Sequence, residues 1–222
     1  MKIERSLLLI WLWWQCSLAA ESPYFAGAMA GISTLSADGR SVITPQSVSI
    51  SLYKPENGFL VHLLGGVHLR DYLSLQGSYT WNRNRLTLTS TSSTSAGLVL
   101  YEQGRDSSQH ALSIDILVYF RDRKSRVRPY LSAGSGVARF SSKEKSLPAV
   151  FGVPAVPPPS FESANPALRV AVGIDVAIRD GWALRYSFCE TMRQNPISAQ
   201  LSPPGQRKLA NFQNMFGFIK NF

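Results

Sequence analysis

The sequence predicts an all-β fold, an up-and-down transmembrane barrel of eight antiparallel strands with long outer loops and short periplasmic turns. Three observations predict it. A short apolar leader marks the chain for export. Strand-length segments then alternate, residue by residue, between large apolar and small or polar side chains. The breaks between those segments are long and short in strict succession.

The leader comes first. Residues 1–5 carry Lys2 and Arg5, residues 7–14 (LLLIWLWW) are apolar throughout, and Ser17-Leu18-Ala19 supplies small residues two apart. A charged start, a short apolar core and a small-x-small end are the marks of a secretory signal peptide. The apolar run is shorter than the ~20 residues a membrane-spanning helix needs. Cleavage is expected after Ala19 or Ala20, which leaves 21–222 as one domain. A retained anchor is the weaker alternative. A lipoprotein reading of Cys16 is weaker still, because Gln15 stands where a small residue belongs.

Charge and cysteine content narrow the class. The chain carries a formal +9, and Lys2 and Arg5 against Glu4 hold one of those charges, leaving +8 after cleavage. A basic exported protein meets anionic lipid head groups before it meets nucleic acid, so no nucleic-acid partner is expected. Without Cys16 only Cys189 remains, and the fold must hold without an internal disulfide.

Period-two alternation carries the strands. From Leu168 to Ile178 the even positions are all Leu, Val or Ile, and the odd ones are Arg169, Ala171, Gly173, Asp175 and Ala177. The same pattern sets Leu112, Ile114, Ile116, Val118 and Phe120 against a face holding Asp115. It sets Leu73, Leu75, Tyr79 and Trp81 against Ser74, Gln76 and Ser78. Phe59, Val61, Leu63 and Val67 oppose His62 and His68, and Trp182, Leu184, Tyr186 and Phe188 oppose Arg185. The charges collect on the face of small residues, while the large face is apolar and aromatic toward its ends. A membrane barrel is built that way, apolar outside and polar within. The expected strands are 24–35, 58–69, 72–83, 110–120, 127–141, 167–178, 182–192 and 208–222. The first and fifth are rich in Gly and Ala and their facing stays open.

The connections at 70–71, 121–126 and 179–181 are short. Those at 36–57, 84–109, 142–166 and 193–207 are long. Short periplasmic turns and long outer loops are the habit of outer-membrane barrels. Ten strands are the runner-up, because residues 47–53 (SVSISLY) also alternate, but that segment is expected to extend a loop above the membrane. The patches 90–95 (STSSTS) and 154–160 (PAVPPPS) are expected to be mobile surface, and the last strand ends the fold on Phe222.

The leader, the alternating segments and the ending Phe216-Gly217-Phe218-Ile219-Lys220-Asn221-Phe222 resemble the small outer-membrane β-barrels, the family of the OmpA transmembrane domain, OmpX and OmpW. The resemblance covers essentially the whole exported chain. It implies residence in the outer membrane of a Gram-negative-type envelope. It further implies that Phe216, Phe218 and Phe222 form the C-terminal signal read by the barrel-assembly machinery. Lys220 departs from the pattern where an apolar residue is usual. The family holds anchors, adhesins, narrow porin-like pores and a few enzymes, so the resemblance bears on fold more than on activity.

Three groups of residues are candidates for function. Asp115, Arg169, Asp175 and Arg185 are expected as an interior charge network, and a three-residue hairpin at 179–181 sets Ile178 opposite Trp182 and Asp175 opposite Arg185. Such charges fill a narrow lumen or gate an ion path. Arg121, Arg123, Lys124, Arg126 and Arg128 form a basic periplasmic turn suited to lipid head groups. The apolar loop stretches 97–101 and 149–153 are a binding surface or a cap. His110 with Ser108 is the single hint of hydrolysis, and His62 and His68 stand six residues apart, too far along a strand to share a metal. The expectation is a non-enzymatic surface protein without cofactors, partnered by outer-membrane lipids, lipopolysaccharide-type head groups and an extracellular ligand of its loops. A narrow passive channel gated by the interior charges is the alternative.

Overall fold

A computed structural model describes residues 22–154, 156–205 and 208–222. The expected leader and its cleavage point lie outside them. Among the described residues the strands are β1 (Tyr24–Leu35), β2 (Asp38–Thr44), β3 (Ser47–Pro55), β4 (Gly58–Arg70), β5 (Leu73–Thr94), β6 (Gly97–Tyr119), β7 (Val127–Glu144), β8 (Ala149–Phe151), β9 (Ser160–Arg179), β10 (Trp182–Gln194) and β11 (Lys208–Asn221). They form one antiparallel sheet. Eight of them, in the order β5-β4-β1-β11-β10-β9-β7-β6, close into a ring through the β5–β6 pairing. β2, β3 and β8 stand outside it.

The ladder shows how the ring closes. Stepping between cross-strand partners from Arg193 on β10 passes Ala167, Gly136, Ser113, Ser78, Leu64, Gly27 and Ile219, and returns to β10 at Ala183, ten residues from the start. With a rise of ~3.3 Å per residue and strands ~4.8 Å apart, that stagger tilts the strands by roughly 40°. Eight strands leave a lumen just wide enough for side chains to fill.

The faces are inverted relative to a soluble sheet. Leu112, Ile114, Ile116, Val118 and Phe120 are exposed, while Gln109, Asp115, Leu117 and Tyr119 are buried. Tyr24, Tyr72, Phe120, Trp182 and Phe222 rim the end with short turns, and Phe59 and Phe188 lie toward the other. The strands whose facing was open are now phased: β1 buries Phe25, Met29 and Ser33, and β7 buries Arg128, Tyr130, Ala138 and Phe140.

Several expected boundaries move. The stretch 84–109 is no loop, because β5 and β6 continue as one hairpin of 22- and 23-residue strands, with Thr94 paired to Gly97 at its tip. That is about twice the length a tilted membrane strand needs. The STSSTS patch lies in this hairpin and is strand up to Thr94. Its Ser/Thr sequence, four Ser and two Thr, has no apolar face to announce a strand. β9 likewise begins at Ser160. Residues 47–53 belong to β3, which pairs with the far half of β5 (Ser47↔Thr94 to Pro55↔Leu86), while β4 pairs with the near half. The β2–β3 hairpin thus sits end-on beyond β4 and adds nothing to the ring.

The turn after β9 also differs. Arg179 pairs with Trp182, leaving a two-residue turn at Asp180 (φ 51°) and Gly181 (φ 74°). Two left-handed residues in succession give the type I′ turn that suits twisted strands. Ile178, expected opposite Trp182, is instead the extra residue of a bulge, after which Ala177 faces Ala183 and Asp175 faces Arg185.

Candidate functional site: the lumen and its long end

Near the short-turn end, Arg185 is enclosed by acceptors. Its Nε donates to Asp175 Oδ1 at 2.6 Å and its Nη2 to Asp175 Oδ2 at 2.7 Å. Nη2 also reaches the Tyr119 hydroxyl at 2.8 Å, and Nη1 reaches Gln76 Oε1 at 2.7 Å. The Tyr119 hydroxyl donates onward to Asp175 at 3.1 Å. The guanidinium lies 4.9 Å from the Tyr130 ring. Tyr130 in turn lies over its cross-strand partner Gly173, where a Cβ would come within 2.4 Å of the hydroxyl. A bidentate, fully bonded pair is the arrangement in which a buried ion pair survives the loss of water.

Further in, Arg169 donates from Nη1 to Asp115 Oδ2 at 2.9 Å and to Ser78 at 3.0 Å, and from Nε to Cys189 Sγ at 2.9 Å. Asp115, Arg169, Asp175 and Arg185 therefore form two hydrogen-bonded pairs, with no hydrogen bond joining one pair to the other among the described residues. His62 bonds Thr80, and His68 bonds Ser74 and Asn221. The opposite wall is apolar, with Phe25, Met29, Leu60, Leu64, Met215 and Ile219 in one cluster.

The long end is closed by a second apolar cluster that includes Leu35, Tyr53, Tyr101, Phe140, Ile197, Leu201 and Leu209. Ile197 and Leu201 come from the segment after β10, folded over the lumen through a 3-10 turn at Ser198–Gln200. Asn195 Oδ1 holds that segment by accepting the backbone N–H of Ile197 and Ser198. The Tyr53 hydroxyl donates to the Ser36 carbonyl, and burial pushes its pKa up to about 12. Arg105 ties the Pro-rich stretch to the β5–β6 hairpin, donating to the Pro158 and Pro159 carbonyls at 3.0 Å each and to Ser142 and Gln103. Sequence reasoning missed Arg105. It shares the inward phase of Gln109 and Asp115, a signal readable only if β6 is extended beyond residue 110.

At the short-turn end, Arg121, Lys124 and Arg126 are exposed and Arg123 donates to the Ser22 carbonyl. Arg128 departs from its expected place on this turn. It is buried as the second residue of β7, stacked 3.8 Å over Tyr119 and donating to the Asp71 carbonyl, because the inward phase of the strand has begun. Phe216, Phe218 and Phe222 are exposed on one face of β11 and its end, while Lys220 donates to the Asp180 carbonyl and lies over Trp182. The two apolar stretches expected in loops meet: Leu100 pairs with Phe151 and Tyr101 with Val150, leaving Phe151 and Val153 exposed. His110 bonds Tyr79 on the outer face and Ser108 bonds Ser141, with no carboxylate bonded to His110 among the described residues.

A closed ring with an apolar exterior and a charged, filled interior is what a membrane barrel requires. The model of the family described as "Outer membrane protein beta-barrel domain" matches residues 7–202. This chain belongs to that family. The barrel is accordingly an outer-membrane protein. Its fold is similar to that of Neisserial surface protein A (NspA), at TM-score 0.54 and 16% identity over 92% of this chain and all of that one. Weaker likenesses are to OprG of Pseudomonas aeruginosa (TM-score 0.46, 11% identity, 92% of this chain and 98% of that) and to the Escherichia coli outer membrane protease OmpT (TM-score 0.46, 9% identity, 93% and 99%). No curated protein matches the sequence.

Proposed function

We propose that this barrel is a non-catalytic surface protein of the outer membrane, anchored by its ring and meeting partners through the long end, which faces the exterior. The closed lumen carries the reading. Two Arg–Asp pairs block it and the apolar cap around Tyr53, Ile197 and Leu201 covers it, whereas strands of 22 and 23 residues project far beyond the membrane. Exposed Ile43, Ile50, Phe151 and Val153 on that projection supply apolar contact surface of the kind binding sites use. The short-turn end, with Arg121, Arg123, Lys124 and Arg126, lies in the periplasm beside lipid head groups. Phe216, Phe218 and Phe222 serve the barrel-assembly machinery, and lipopolysaccharide-type head groups surround the outer rim.

The test is planar-bilayer conductance of the refolded mature chain beside Asp175→Ala, with folding checked by a gel shift between unheated and boiled samples. Silence from a properly shifted protein is expected. Discrete steps that the variant alters would overturn the reading in favour of a narrow channel gated at the interior charges. Orientation is tested separately: a cysteine placed at Ser93, at the far end of β5, should react with an impermeant maleimide on intact cells, and protection there would invert the topology.

A further inference from the structure

Arg193 lies at the upper lumen, eight residues after Arg185 on β10 and on the same inward face. It is 5% exposed. Its Nε, Nη1 and Nη2 have no hydrogen-bond partner among the described residues, and the guanidinium rests against the Phe140 ring, 4.9 Å away, with the Tyr53 phenol nearby. Gln109, the cross-strand partner of Phe140, has a buried Nε2 without an acceptor, and so has Asn195 at its Nδ2, two residues after Arg193. All of these atoms are donors. The acceptors nearby are occupied: Asn195 Oδ1 takes the backbone of Ile197 and Ser198, and Asn84 Oδ1 takes Asn82 and Ser33. Gln213 Oε1 and, lower down, Asp115 Oδ1 are acceptors without a donor, and the buried carboxylate of Asp38, the cross-strand partner of Tyr53, stands at the roof engaged elsewhere.

The upper lumen thus combines a buried positive charge, a surplus of N–H donors and a shortage of acceptors. An unpaired buried charge is costly, and buried donors without acceptors add to the cost. Three other buried guanidinium groups are well bonded, Arg185 and Arg169 to carboxylates and Arg105 to carbonyls, and Arg128 reaches one carbonyl with its Nε left over; Arg193 alone among these five has no hydrogen bond among the described residues. We propose that the upper lumen is a binding site for a small oxyanion, a carboxylate or phosphate held by the Arg193 guanidinium and the side-chain amides of Gln109 and Asn195. The planar fork of a guanidinium matches two oxygens of such an anion. Tyr53, Phe140, Ile197, Leu201 and Leu209 roof the site and exclude water, which strengthens the interaction. The Arg169–Asp115 pair lies deeper in the same lumen. Entry requires the segment bearing Ile197 and Leu201 to lift. This site is independent of whether the loops above bind a partner.

The experiment uses the mature chain refolded in detergent micelles, with folding verified by gel shift. Formate and inorganic phosphate are titrated at constant ionic strength, and binding is read by calorimetry and by the thermal unfolding midpoint. Saturable binding of at least one probe is expected, with a midpoint that rises hyperbolically. Arg193→Met should still fold and should lose at least tenfold in affinity. Gln109→Leu, which removes one donor and no charge, should weaken binding by a smaller factor and serves if the arginine variant does not fold. The preferred probe separates a carboxylate site from a phosphate site. No saturable binding of either probe to the unaltered chain, or equal binding by the folded variants, would overturn the proposal.

Discussion

Arg185 and Arg193 stand on one strand, on one face, both buried, and differ in everything around them. Arg185 has Asp175 on Nε and Nη2, Tyr119 also on Nη2, Gln76 on Nη1, and aromatic rings nearby. Arg193 has one aromatic ring and no acceptor among the described residues. The register explains the difference. The bulge after the Asp180-Gly181 turn brings Asp175 opposite Arg185, whereas Arg193 pairs with Ala167 and Leu209, which offer no polar side chain. One lumen therefore holds a charge neutralised by its own sheet and another that the sheet leaves open. The first is a structural element and the second is a receptor.

The largest expected effect comes from breaking the closed pair. Asp175→Ala strands the Arg185 charge, and urea unfolding in lipid vesicles should show a loss of about 3–5 kcal/mol. The double variant Asp175→Leu/Arg185→Met should recover most of that. A double variant as weak as the single one would mean that shape, not charge, dominates there. Arg105→Ala tests the intermediate case, a guanidinium bonded to neutral carbonyls. It should cost about 1.5–3 kcal/mol and open residues 145–159 to protease, while leaving the ring folded by gel shift. An uncut loop would show that Arg105 is no tether.

The roof over Arg193 should respond to alkali. The folded pKa of Tyr53 is raised to about 12 by burial, so its contribution is fully present below pH 10 and is lost as pH climbs from 10 through 12. A shift of that size corresponds to something on the order of 3 kcal/mol. Unfolding midpoints measured from pH 8 to 12 should fall in that window for the unaltered chain and fall less for Tyr53→Phe. Identical slopes would remove Tyr53 from the explanation. The smallest effect is expected from Arg193→Met in buffer free of oxyanions: no loss of stability, or a gain of about 1 kcal/mol, because an unpaired buried charge is being removed. A loss comparable to that of Asp175→Ala would erase the contrast between the two arginines.

What could be read in advance depended on whether a strand had an apolar face. β9 alternates Leu, Val and Ile with small and charged residues, so its phase, and with it the inward facing of Arg169 and Asp175, was legible. β1 and β7 mix Gly, Ala and Ser on both faces, and only the ladder phases them. The far halves of β5 and β6 carry only short apolar runs, Leu86 and Leu88 on one and 98–101 on the other, separated by Ser- and Thr-rich sequence, and they read as a loop. Arg105 is hidden for that reason, and Arg193 because β10 runs past Met192 into the stretch expected to be a connection. Arg193 could have been found by carrying the inward set Arg185, Ser187, Cys189 and Thr191 one step further. Arg128 misled in the opposite sense: it belongs by sequence to a cluster of charges and by register to the strand that follows.

β5 has one neighbour along its lower half and another along its upper half, with β4 giving way to β3 at residues 56–57. One long beam therefore carries two storeys. Alterations to the upper storey, whether the β2–β3 hairpin is shortened, replaced or extended, leave the lower joinery and its stagger untouched. Such a plan lets the exposed part of the molecule diverge quickly under selection while the part that must insert into lipid stays constant.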